Sequence, residues 1–556
     1  MTKILMHCKS YLAVTFVGLI LGQSPCFAQN NGGTATPTQP TTTAGQPAAA
    51  PAEVLKELEA MKARIAQLEA ELRAGKPQDS ASAATGANGG SAQPEVSTAA
   101  SANPSDVNVT ASVSGTVATT AAAADAKPAK AEPFAFADWT WLNGNPRTKD
   151  TPWATKFFTP EFRADVDYVI DFNHPQDDTI GGSSEVFRSS EVHVTDLGVG
   201  GDFHYDNVRG RVLSQIGLYS TTTARNDASP ARGQWDLADA YRYISEAYGG
   251  YHFNALHGVN VDAGIFLSYI GLFSYYQFDN WAYQPSYVSS NTPWFFNGVR
   301  TQVFVTDKFK IEPWFTNGWQ SYGRFNNRPG FGLQIAWRPN SKVSIVANQY
   351  FLGEETLGNQ ARTRLHTDDS IEVKYYDNPE RFMDKAAFSF TADLGCEYGG
   401  GVSCYGNRAG GPKQSFVGAM LYTRFWFLRD KYGLTLGGGA INNPGRYLVL
   451  LPPINGATAA SGTPYFTQNP GDPYKAWDAS VTFDYLPSQY ITFRSEFNHR
   501  AANVPYFSGP GGITPTCPTA PTVLNICGTP GSLVPGFTPD LRKSENRMTL
   551  AILVKF

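Results

Sequence analysis

Acidic and basic residues recur two positions apart through the C-terminal part of this chain. Arg163 and Asp165, Arg209 and Arg211, and Arg494 and Glu496 are examples. On an extended strand, side chains two apart share a face. A face this rich in charge is not the wall of a dry core, because a buried charge is costly unless paired. It can border water, where opposed acids and bases set up a field that sorts small solutes by charge and size. On this reading the candidate lining residues are Arg163, Asp165, Arg211, Asp262, Arg300, Glu312, Arg424, Asp484, Arg494 and Glu496.

Bond-breaking chemistry has no comparable signature. H-E-x-x-H, G-x-S-x-G and the phosphate-binding G-x-x-x-x-G-K-[ST] are absent, so no spacing points to a metalloprotease, a serine hydrolase or a nucleotide site. His174, His193, His204, His252, His257, His366 and His499 are scattered and read as polar wall or loop residues. Ser, His and acids from separate strands could still converge on a hydrolase site without a local motif. The reading is of a non-enzyme that needs no cofactor or metal.

Cysteine usage points to an oxidising compartment. Cys396 with Cys404 and Cys517 with Cys527 form two close pairs in Gly- and Pro-rich stretches and read as loop disulfides. Zinc is the competing reading, but neither spacing is C-x-x-C and no histidine lies nearby.

The elements that must position these charges are strands. "EFRADVDYVIDF" (161–172) sets Phe162, Ala164, Val166, Tyr168 and Ile170 against Arg163, Asp165, Asp167 and Asp171. Comparable segments fall near 191–205, 208–220, 239–253, 259–269, 296–306, 308–316, 330–338, 342–351, 365–376, 385–394, 414–427, 432–441, 476–485, 489–500 and 546–556. Their connections alternate between short turns, such as 205–208, 306–308, 338–342, 428–432 and 486–489, and long loops. That alternation belongs to outer-membrane barrels rather than to soluble sandwiches. The expected fold is all-β, a transmembrane antiparallel barrel of about sixteen strands over 161–556, a size that encloses an aqueous channel. Lipid covers the apolar face, and closure satisfies every backbone group. Tyr168, Phe172, Tyr205, Trp337, Trp426 and Tyr485 are candidates for the interfacial aromatic girdles. The loop "SYYQFDNWAYQPSYV" (274–288) could turn inward as a constriction or a sugar platform, or pack on itself at the surface.

The chain closes on "RMTLAILVKF". Met548, Leu550, Ile552, Val554 and Phe556 alternate toward lipid and resemble the terminal signal read by the outer-membrane assembly machinery.

The first residues read as an export signal over 1–28. Lys3 and Lys9 precede an apolar core at 11–21, and Cys26 and Ala28 occupy small-residue cleavage positions. Removing this segment takes two lysines with it and moves the formal charge from −4 to −6. There is no basic excess to attract nucleic acid. A Thr-, Pro- and Ala-rich linker at 29–52 leads to 53–75, where Val54, Leu58, Met61, Ile65, Leu68 and Leu72 recur at heptad spacing. That pattern predicts a short periplasmic coiled coil. An Ala-, Ser- and Thr-rich stretch at 76–133 has too little apolar surface to fold, and 134–160 leads into the barrel.

Five stretches carry a family resemblance: "DWTWLNGN" (138–145), "FVTDKFKIEPWFTNGWQSYG" (304–323), "NNPGRYLVLLPPINGATA" (442–459), "FRSEFNHRAANVPYFSGPGG" (493–512) and "PDLRKSENRMTLAILVKF" (539–556). With these the chain resembles the putative beta-barrel porin-2 (OmpL-like) family of bacterial outer-membrane porins over roughly 134–556. The resemblance implies a channel for passive diffusion of small hydrophilic solutes or ions, and a homo-oligomer with a trimer favoured. The alternative is an outer-membrane anchor whose periplasmic coiled coil tethers the envelope or oligomerises.

Overall fold

The computed structural model describes residues 132–175, 178, 180, 185–224, 227, 235–324, 326–353, 361–400, 402–406, 413–444, 474–511 and 540–556, with 62–63, 105–106 and 109–110. The chain divides into two units, Met1–Val96 and Ser97–Phe556. In the first, Lys62 and Ala63 are helical. In the second, Ser105–Asp106 pairs with Val109–Thr110 as a two-residue ribbon. Otherwise the expected signal segment 1–28, linker 29–52, coiled coil 53–75 and nearly all of 76–133 lie outside the described residues. So do Cys517 and Cys527.

Sixteen antiparallel strands close into one barrel. In chain order they are β1 (Phe158–Asp171), β2 (Val192–Tyr205), β3 (Val208–Ser214), β4 (Ile244–Phe253), β5 (Val259–Leu267), β6 (Phe295–Thr306), β7 (Phe309–Thr316) and β8 (Gly330–Asn340). They continue as β9 (Val343–Leu352), β10 (Thr363–Asp377), β11 (Met383–Tyr398), β12 (Ser415–Phe427), β13 (Tyr432–Asn443), β14 (Tyr474–Ser488), β15 (Ile491–Ala502) and β16 (Ser544–Lys555). Each strand pairs with its sequence neighbours, and β16 returns to β1 with Lys555 opposite Arg163 and Arg547 opposite Asp171. Closure leaves no edge strand, which is what a β-structure in lipid requires.

Two expected strands differ from the structure. The segment at 208–220 ends at Ser214, and the chain turns at Gly217 (φ 126°) into a helical turn, Tyr219–Thr222. The segment at 239–253 begins five residues late. Asp236 caps a short helix, Leu237–Tyr241, by accepting from the Asp239 amide, and this captures the residues that alternation assigned to a strand.

Polarity is inverted relative to a soluble barrel. Val194, Val199, Phe203, Val212, Val417, Leu421, Val481, Phe483, Leu550 and Ile552 are exposed on the outer face, an apolar band too continuous for a surface in water. Among the described residues no helix is long and apolar enough to cross a membrane; the strands are the spanning elements. Phe172, Tyr205 and Trp337 lie exposed on the outside. Trp426 does not. It is buried and faces inward, because it stands two residues from Arg424 and shares that residue's face.

The densely packed core lies inside the barrel. Phe134, Trp139, Trp141 and Leu142, from the segment ahead of β1, pack with Trp281, Tyr287 and Val288 of the β5–β6 loop and with Phe416, Met420, Tyr422, Trp426 and Ile441 of the wall. Phe556 seals the β16–β1 seam. Its amide donates to the Phe162 carbonyl at 2.9 Å, and its ring meets Tyr490 at 5.3 Å, Trp153 at 5.1 Å and Phe162 at 6.2 Å. Phe556→Ala removes all three ring contacts at the closing seam. The fraction of barrel recovered in the folded, heat-modifiable form should fall severalfold on gel electrophoresis; an unchanged folded fraction would deny the seam that role.

Candidate functional site: the barrel lumen and its inward loop

All ten residues proposed to line the interior are buried, at less than a tenth exposed, and all sit on the inward face of their strands. They are not a free ring in water. Six work with the β5–β6 loop, residues 268–294, which folds across the lumen to the far wall, and four pair within the wall from which the loop departs.

The far wall holds the loop through charged side chains. Glu496 on β15 accepts from the backbone amides of Tyr283 and Gln284 at 2.6 and 2.8 Å. Asp478 on β14 accepts from the Ser286 hydroxyl and the Tyr287 amide at 2.8 and 3.0 Å. Arg494 donates to the carbonyls of Gln277 and Asn280, and Arg424 to that of Trp281. Between these arginines lies Asp484, 2.8 Å from Arg424 and 2.7 Å from Arg494. On β1, Arg163 reaches Asp279 at 3.1 Å, pairs with Glu161 and stacks 3.9 Å over the Tyr276 ring. The Tyr283 hydroxyl donates to Asp165 or Asp167, each at 3.0 Å.

Charge-assisted bonds of this kind are strong in a low-dielectric setting. They also satisfy loop amides and carbonyls that would otherwise be buried without partners. Burial raises the Asp279 carboxyl above its usual range, with Arg163 opposing the rise. Burial likewise pushes the Tyr287 phenol up to about 12, against the pull of Arg500, whose guanidinium lies 4.1 Å from the ring.

Glycines on the wall provide the seat. The loop's helical turn, Tyr287–Ser290, rests on β12 and β13. A Cβ at Gly439 would stand 2.5 Å from the Ser286 hydroxyl, and one at Gly418 would stand 3.0 Å from Val288. Only a residue without a side chain leaves room for that approach.

The remaining four candidates belong to a network on β1–β7. Arg211 contacts Glu161, Asp202 and Glu246 within 2.9 Å. Asp262 is shared by Arg209 at 3.2 Å and Arg300 at 3.1 Å, and Arg300 also lies over the rings of Tyr248 and Phe266. Glu312 holds Lys310 at 2.6 Å. Charge alternation set these ten on one strand face, but it carries no signal of what most of them grip. Asp478 and Glu372 were visible on the same inward parity. The roles of Trp281 and Asn143 were not, because the segments carrying them have no strand period.

Cys396 and Cys404 are joined as a disulfide with a Cα separation of 5.2 Å, at the end of β11 and the loop that follows. Among the described residues no group of His, Cys, Asp and Glu is arranged to hold a metal.

A closed barrel with charged walls and a loop drawn across its interior defines a porin-type architecture. Residues 163–524 match the family model described as "Putative beta-barrel porin-2, OmpL-like", and the chain belongs to that family of outer-membrane porins. Among solved structures, the outer membrane channel DcaP of Acinetobacter baumannii is 14% identical with a TM-score of 0.40, covering 72% of this chain and 96% of its own. The anion-selective porin from Comamonas acidovorans is 10% identical (TM-score 0.39; 72% and 99% covered). OprB of Pseudomonas putida is 11% identical (TM-score 0.39; 72% and 94%). No curated protein matches the chain.

Glu496→Ala leaves two buried loop amides without an acceptor, at a cost of about 1–3 kcal/mol for each unsatisfied group. The folded barrel should lose about 3 kcal/mol of stability in urea titration in lipid vesicles. A change below about 0.5 kcal/mol, the usual span for a surface substitution, would mean the loop is not held this way.

Proposed function

We propose that this protein is a porin through which small hydrophilic solutes or ions diffuse passively across the outer membrane. The observation that carries this reading is the pairing of an apolar exterior with a charged interior in a closed barrel of sixteen strands, a size class that encloses an aqueous passage. Selectivity then comes from the space left beside the inward loop and from the acids and bases bordering it. The ten lining residues act in two ways: Arg163, Asp165, Arg424, Asp484, Arg494 and Glu496 fix the loop that narrows the passage, while Arg211, Asp262, Arg300 and Glu312 set the field of the opposite wall.

The same reading extends to assembly. Met548, Leu550, Ile552, Val554 and Phe556 are the strand face offered to the assembly machinery and then to lipid. The heptads at 53–75 support a homo-oligomer, with three chains the favoured number, and the coiled coil lies in the periplasm. Deleting 53–75 and measuring mass in detergent tests that role: an unchanged oligomer removes it.

Purified protein in a planar bilayer should give discrete unitary current steps that grow with salt concentration. A folded, inserted barrel that stays silent would overturn the porin reading in favour of an envelope anchor.

A further inference from the structure

The segment ahead of β1 lies inside the barrel and spans its short-turn end. It begins at the turn between β6 and β7, where the Phe134 amide donates to the Asp307 carbonyl at 2.7 Å. Beside it, the Arg338 guanidinium of β8 lies 4.7 Å from both the Phe134 and Trp139 rings, a cation held between aromatic faces. The segment finishes at the turn between β14 and β15. There Arg147 donates to the carbonyls of Ser488 and Ile491 at 2.6 and 2.5 Å, and the Thr148 hydroxyl donates to the Gln489 carbonyl at 3.2 Å. In a ring of sixteen strands the β6–β7 and β14–β15 turns are eight apart, so they are diametrically opposite. Residues 134–148 link these two turns as a strap that runs past the wall between them, with Arg338 of β8 and Lys374 of β10 against its aromatic rings.

Midway, the strap meets the inward loop. Asn143 donates its amide to Glu372 on β10 at 2.8 Å, and its side-chain oxygen accepts from the Trp281 amide at 2.8 Å. Trp281 in turn packs edge-on against Trp426 at 5.6 Å. Trp139, Trp141, Leu142 and Asn143 are all buried. The loop crosses the lumen from one wall, the strap links opposite turns, and the two meet at Asn143 and again where Arg147 lies 4.9 Å over the Phe278 ring.

Resting on the porin reading above, we infer that the strap 134–148 is a second constriction element, and that Asn143 and Trp281 together set the size limit for solutes. A channel narrowed only by its loop would keep a wide mouth at the turn end. Here a solute leaving the loop must also pass the strap, at the place where Asn143 ties the two together. Because the strap is anchored at both ends by bonds to turns and wall, it narrows the passage as a fixed bar rather than a loose tail.

The test replaces 134–148 with an equal length of Gly and Ser in the otherwise full chain, with folding checked by heat-modifiable mobility. Unitary conductance in KCl and swelling of liposomes in sugars of increasing size are then compared with the wild type. Conductance should rise at least about twofold, since it grows with the open cross-section, and larger sugars should enter. A silent wild type beside a conducting variant would overturn the porin reading and, with it, the size limit inferred for the strap. Equal conductance and an equal size limit would overturn the inference while leaving the porin reading intact, and silence from both folded proteins would overturn the two together. Asn143→Ala, which cuts the tie to Trp281 but keeps the end anchors, supplies the same comparison if the replacement does not fold. It should raise the sugar size limit, and an unchanged limit would count against the inference.

Discussion

A carboxylate facing the inside of this barrel must find its partners within the lumen, and the rest of the architecture follows from how that is met. Glu496 takes two loop amides and the Thr482 hydroxyl. Asp478 takes an amide and a hydroxyl of the same loop. Asp484 bridges two arginines that each donate to loop carbonyls. The strand charges and the loop backbone thus solve each other's problem. Buried ions need partners, and so do the polar groups of an irregular segment removed from water. Removing either side leaves the other stranded.

This mutual dependence explains how a wall facing a passage can be so fully buried. The β1 and β12–β16 side is spent on holding the loop. The β3–β7 side, where the loop originates, pairs its charges internally through Arg211, Asp262 and Glu312. The two halves of the interior therefore differ in kind: one grips the loop backbone, and the other is a charge network stiffened by Arg300 over aromatic rings that meets the loop at Tyr276, whose hydroxyl donates to Glu246. The strap adds a third set of internal contacts at the mouth, built mainly from tryptophans and amide groups.

The barrel was legible in the sequence because lipid outside and charge inside force a two-residue period along each strand. That period placed Arg163, Asp262, Arg424 and Glu496 on the inward face without any knowledge of neighbours. It failed where local chemistry competes, as at Asp236, whose capping bond draws the following residues into a helix. It also failed where an aromatic was assigned by its position near a strand end rather than by its parity, as at Trp426. The contents of the lumen were legible only in part: the aromatic stretch 274–288 was open to turning inward or packing at the surface, and neither its partners nor the strap had a signal. Loop 268–294 and strap 134–148 have no period, and the partners of Glu496 and Glu372 are backbone amides that any sequence would supply. Their contacts join residues more than two hundred positions apart, fixed by closure of the barrel and not by local spacing.

The account rests most directly on the loop being tied inside the barrel through its own amides. Hydrogen exchange of the protein in lipid nanodiscs, resolved to the peptides containing Tyr283, Gln284 and Tyr287, measures this. The account predicts protection of those amides comparable to that of the flanking strands β5 and β6. Exchange at the rate of an exposed loop would contradict it.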